Sequence, residues 1–181
     1  VKGTEWIINA IEELKNEGLK VDLRLFENKS NDLVLKELRE EVDILVEQLN
    51  GYGYALSGIE GMGSGLTVIS SQQNNEYMET FRTWSFFDEC PIVGSSYKSI
   101  KSDLRKLITT PELREVLGKA GRKYIEKYHG LDSAQYLFSN IIDYVYNNKS
   151  SLINIYHPLL GKYTNRLPKI KHPLINNQLP D

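Results

Sequence analysis

The sequence predicts a parallel α/β sheet with helices packed on both faces, and three observations support this. Short runs rich in Val, Ile and Leu alternate along the chain with longer stretches whose apolar residues recur at helical spacing. A glycine-dotted loop leads from one such run straight into a helix, as in strand–helix–strand units. The composition, 40% hydrophobic and 25% charged over 181 residues, is that of one globular domain with room for an appendage.

Taken in order, "TEWIINAIEELKNEG" has Thr4 in the cap position. Trp6, Ile7, Ala10, Ile11 and Leu14 follow at helical spacing, and Gly18 acts as the stop. "LKVDLRLFE" (19–27) alternates and predicts a strand. "SNDLVLKELREEV" (30–42) predicts a helix capped by Ser30 or Asn31. "DILVEQL" (43–49) is the next strand. "NGYGYALSGIEGMGSG" then gives a loop and short helix, and "LTVIS" and "CPIV" (90–93) are further strands. Three helices close the unit at about 96–109, 112–127 and 132–147, with Pro111 in a first turn, where its missing N–H costs little. Beyond residue 148 the periodicity stops. The last stretch carries Lys162, Arg166, Lys169 and Lys171 against Asp181, and three prolines near its end. The reading is a domain over 1–148 and an extended arm over 149–181 lying on a surface.

Net charge is −2, so no global positive field invites nucleic acid. The single cysteine, Cys90, excludes an intrachain disulfide and a cysteine metal cluster, and it reads as a small buried apolar residue. No apolar run reaches membrane-spanning length and no signal peptide is visible, which predicts a cytoplasmic setting. The chain opens at Val1 without an initiator methionine and reads as entered within a longer polypeptide.

The stretch that carries chemistry is the loop "NGYGYALSG" and the helix after it. Glycines allow positive φ and close approach of a ligand, and a helix start offers unpaired N–H groups and the positive end of its dipole. A phosphate suits such a place. Glu60, one turn in, could accept two hydrogen bonds from the vicinal hydroxyls of a ribose. The same residues also fit a capping box, Ser57-x-x-Glu60, in which Glu60 bonds back to the Ser57 amide.

The larger arrangement resembles the donor-binding half of retaining glycosyltransferases of the GT-B fold, family 4 in particular. "KGTEWIINAIEEL" is similar to the family's Lys-Gly stretch before its first donor-domain helix. "SGIEGMGSGLTVI" is similar to its P-x-x-E-A-M-A-x-G-x-P-V-I segment, and "ITTPELREVLGKAGRKYIEKYH" to its closing segment. Within the family, "HPLLGKY" (157–163) resembles the tail of bacterial surface-polysaccharide enzymes. The resemblance implies a Rossmann-like sheet and transfer of a sugar, with retention, from a nucleotide-sugar donor to a saccharide or lipid-linked acceptor. It implies an acceptor domain outside this chain and needs no metal or other cofactor.

By position, the resemblance makes Lys2 the lysine at the donor pyrophosphate and Glu60 the glutamate at the ribose; these two are the candidate catalytic residues. Gly53, Tyr54, Ala55, Leu56 and Ser57 match the loop at the phosphate and transferred sugar. The family's first glutamate falls at Tyr52, so Tyr52 and Glu47 are the candidates for the donor-sugar contact. Ala55 and Ser57 stand where the family has glycine and proline, and the family's strand–helix unit before "DILVEQL" is absent or compressed.

Among the remaining residues, His129 reads as a cation at a helix end, and His157 and His172 as anchors of the arm. Phe81, Trp84, Phe86 and Phe87 read as core. The basic arm reads as a solvated segment or a peripheral contact with anionic lipid at the inner membrane face.

Overall fold

The computed structural model describes residues 2–72, 75–148, 151–155, 163 and 167–180. Three parallel strands, β1 (Ile44–Gln48), β2 (Thr67–Ser71) and β3 (Val93–Ser95), form an open sheet in the order β1-β2-β3. Ile69 lies opposite Val46 on one side and Val93 on the other. Among the described residues there are seven α-helices: α1 (Thr4–Asn16), α2 (Asn31–Glu40), α3 (Leu56–Gly63), α4 (Asn75–Trp84), α5 (Ile100–Thr109), α6 (Pro111–Tyr128) and α7 (Leu131–Asn147). Among the described residues, no helix is long and apolar enough to cross a membrane.

The period-two pleat divides the interior into two cores. Ile69 and Val93 face Ile7, Ile11 and Leu14 of α1 and Leu104 and Leu107 of α5. Val68 and Ile92 face the other way, toward Met62 of α3, Met78 of α4 and Tyr124 of α6. Helices thus cover both faces, as the alternating pattern predicts. Glycines set how closely α6 approaches: a Cβ on Gly118 would lie 2.0 Å from the Gly65 carbonyl oxygen.

The structure corrects several local expectations. Residues 19–27 form no strand: Leu19, Val21 and Leu23 pack on the core, but the segment joins no ladder and leaves the outer edge of β1 unpaired among the described residues. The third strand starts at Val93 and not at Cys90. Pro91 has no N–H to give, and the Asn177 side-chain amide donates to the carbonyls of Cys90 and Ile92 at 2.9 and 3.0 Å. The 96–109 helix begins at Ile100, after a serine turn in which Ser99 N–H donates to the Ser96 carbonyl. Helix α4 is not among the predicted elements. Tyr77, Met78, Phe81 and Trp84 have helical spacing, yet only Met78 of them is fully buried, so Phe81 and Trp84 leave the core to Phe86 and Phe87.

The described residues of the C-terminal segment, 167–180, pack against the edge of the sheet. Gly94 N–H donates to the Asn177 carbonyl at 2.7 Å, so the arm covers the edge of β3. Asn176 and Asn177, both at positive φ, make a two-residue turn bridged between Ile175 and Gln178. A buried ion pair also holds the arm: Lys127 Nζ donates to Glu89 Oε2 at 2.9 Å and to the Pro168 carbonyl at 3.2 Å. Ile170 N–H donates to the same Glu89 oxygen. His172 anchors as read, its ring Nε2 donating to the Asp88 carbonyl. His157 and most of the "HPLLGKY" tail lie outside the described residues.

Candidate functional site

The site is built where β1 runs into α3. The ladder slips at this point: Val46 faces Ile69 and Gln48 faces Ser70, so Glu47 is the extra residue of a bulge. The bulge turns its carboxylate toward the start of α3. Glu47 Oε1 accepts the N–H of Ala55, the residue capping α3, at 2.8 Å and the Ser57 hydroxyl at 3.0 Å. Glu47 is 5% exposed, and its Oε2 is buried without a hydrogen-bond partner. A Cβ on Gly58 would stand 2.8 Å from that oxygen, so glycine there is what admits the carboxylate. An anion at the positive end of a helix is favoured, and its hydrogen bonds are charge-assisted.

Lys2 reaches the same place from the other end of the sequence. Its carbonyl accepts the Leu49 N–H at 2.8 Å, which ties it to the end of β1. Gly3 follows at φ +87°, and a Cβ there would meet the Trp6 ring at 2.9 Å and Leu49 Cβ at 3.0 Å. The Lys-Gly pair is therefore the turn that lets α1 start beside β1. The exposed Lys2 ammonium lies 3.5 Å from Ser57 Oγ. A relay results: Lys2 donates to Ser57, and Ser57 donates to Glu47.

Glu60 does not close a capping box. Ser57 sits inside α3, and the half-buried Glu60 carboxylate accepts the Asn31 Nδ2–H at 2.8 Å through Oε1. Asn31, the first residue of α2, is thus a partner that sequence spacing did not indicate. Gly51 and Gly53 adopt positive φ, and the Gly53 carbonyl accepts the Ser70 hydroxyl at 2.6 Å, which pins the loop to β2. Tyr52 is half exposed, with its ring 5.4 Å from that of Tyr77. Tyr54 turns inward: its ring stacks on Phe87, and its hydroxyl lies 3.1 Å from that of Tyr124 and 3.0 Å from His129 Nε2. Burial raises the Tyr54 phenol and lowers His129, so the neutral imidazole is favoured where a helix-end cation was expected. Leu56 points to solvent.

A cavity of about 570 Å³ runs along the unpaired edge of β1, between α1, α5 and residues 20–26. Lys2, Glu47 and Ser57 line it. Glu60, Tyr52, Gly53, Tyr54, Ala55 and Leu56 do not. Of the expected site residues, the structure gathers Lys2, Glu47 and Ser57, and it keeps Glu60 one turn along α3. Asp43, the other acid near this strand, is exposed, with one oxygen 3.8 Å from Arg114. Burial pushes the Cys90 thiol up to about 12, so it packs as an inert thiol. Among the described residues, no group of three His, Cys, Asp or Glu is placed to hold a metal ion.

The chain is thus an α/β domain with an open parallel sheet, carrying a cation, a hydroxyl and two carboxylates around one helix start. No protein-family model, curated protein or solved structure matches it.

Proposed function

We propose that this chain is the donor-binding half of a metal-independent retaining glycosyltransferase of GT-B type. It would use a nucleotide sugar to glycosylate a saccharide or lipid-linked acceptor in cell-surface polysaccharide synthesis. One observation carries the reading: Lys2, fifty-five residues away in sequence, stands 3.5 Å from the first turn of α3. A helix start already suits a phosphate through its free amides and dipole, and an ammonium beside it adds a further positive group to the same place. Glu60, which makes no cap to Ser57, is the carboxylate that would hold the ribose hydroxyls.

In this reading the bond between the sugar's anomeric carbon and the diphosphate oxygen breaks as the acceptor oxygen attacks on the same face. The acceptor proton passes to a diphosphate oxygen. Lys2 and the α3 amides offset the charge gathering on the leaving group, and one preorganised donor of this kind is worth about 3–4 kcal/mol. The exposed Lys169 and Lys171 of the arm suit a peripheral contact with an anionic membrane surface.

Nucleoside diphosphate at about a hundred times its Kd adds about 2.7 kcal/mol of stability, and the melting temperature should rise by several degrees. Lys2→Ala or Glu60→Ala should remove that rise. Saturating nucleotide with no rise in the folded protein would overturn the proposal.

A second reading, a non-catalytic relative that keeps the fold, is favoured by two features. The Glu47 carboxylate already occupies the first turn of α3, and Tyr52 stands where the family has its first glutamate. Slow hydrolysis of a labelled nucleotide sugar separates the two readings, since only the transferase should show it.

A further inference from the structure

A second cavity, about 320 Å³, opens at the carboxyl ends of β2 and β3, the end of a parallel sheet where ligands bind. It is lined by Gln72, just after β2, by Gly94 of β3, by the 95–99 loop into α5, and by Gln178 of the arm. Gln72 is 8% exposed, and neither its Nε2 nor its Oε1 has a hydrogen-bond partner. A buried amide unpaired at both ends is a standing cost to the fold. Gly94 keeps the place open: a Cβ there would stand 2.9 Å from Gln178 Nε2 and 3.2 Å from Gln72 Cβ.

The chemistry of the lining selects the ligand. An oxyanion would satisfy Nε2 but would set its charge against Oε1. A pair of neighbouring hydroxyls offers both an acceptor and a donor. The other polar side chains are the hydroxyls of Ser95, Ser96, Ser99 and Tyr97, the Gln178 amide and the Lys98 ammonium. The carboxylate behind them, Asp103, is taken up by the Ser95 hydroxyl at 2.6 Å. Tyr97 is half exposed, and its ring lies 5.2 Å from that of Trp6, itself on the surface. The Lys98 ammonium lies 5.6 Å from the Tyr97 ring centroid, so the two rings present an aromatic face with a cation at its border.

We propose that this cavity binds one ring of a neutral saccharide. The Gln72 amide turns about its soft terminal torsion to hold two adjacent hydroxyls, and Tyr97 packs on the ring's C–H face. The site is separate from Lys2, Ser57 and Glu60 and does not rest on nucleotide binding there.

The test titrates the full chain with glucose, galactose and N-acetylglucosamine in turn, and with inorganic phosphate. Amide nitrogen–proton correlation spectra follow the Gln72 side chain and residues 94–99. At least one sugar should shift these signals and phosphate should not. Gln72→Leu and Tyr97→Ala should each weaken the sugar about tenfold or more. Gln72→Leu removes only an unpaired amide, so its melting temperature should hold or rise; should it fail to fold, Tyr97→Ala alone decides. Silence toward all three sugars, equal shifts with phosphate, or unchanged sugar affinity in Tyr97→Ala would each overturn the proposal.

Discussion

Lys127→Met tests what fastens the arm to the domain. The Lys127 and Glu89 side chains are 3% and 7% exposed, and their contact at 2.9 Å is buried. Removing the ammonium leaves Glu89 with a buried charge that still accepts from Ile170 N–H, and leaves the Pro168 carbonyl short of that donor. Breaking a buried pair from one side costs about 3–5 kcal/mol. At this chain length each kcal/mol lowers the melting temperature by about 2–4 °C, so a fall of about 6–20 °C is expected. Urea unfolding should show the same loss as a shifted midpoint at unchanged slope. The double variant Glu89→Leu/Lys127→Met removes both charges and leaves only neutral groups unpaired. It should therefore be less destabilised than Lys127→Met alone. A loss under about 1 kcal/mol for the single variant, or simple additivity in the double, would refute the claim that a desolvated ion pair anchors the arm.

Two further outcomes follow from packing and titration. Gly118→Ala drives a methyl into the Gly65 carbonyl and should cost about 1–3 kcal/mol or more, read by urea unfolding; a neutral result would mean that α6 does not sit this close to the end of α3. His129 and His172 are both held below their ordinary value of 6.5 by burial, so the unfolded chain binds protons that the folded one does not. Stability should therefore fall as pH drops below about 6.5, and the fall should shrink in His129→Gln. A flat melting temperature across that window would contradict the buried, neutral imidazoles.

Much of the fold was legible because the helices carry strong local signals. The apolar repeat of α1, Pro111 opening α6 and the Val/Ile run of β2 each read correctly from spacing alone. Element ends were less legible where distant residues decide them. Nothing near Cys90 indicates that Asn177 will take its carbonyl and delay β3, and the alternation in 19–27 says nothing of whether β1 will pair with it. The site shows the same division. The glycine loop and Glu60 stand out as types in a pattern, whereas Lys2 is singled out only by the family resemblance. The role of Glu47 depends on a bulge and on Gly58 leaving room, and a slip in register has no residue signature.

The most direct measurement maps nucleoside diphosphate on the full chain by amide chemical shifts, running UDP, GDP, ADP and CDP separately. The account predicts that at least one of them moves Ala55, Leu56 and Ser57 together with Lys2, and that Lys2→Ala weakens it about tenfold or more without unfolding the chain. No response from any of the four, or a response confined to residues far from the start of α3, would contradict it.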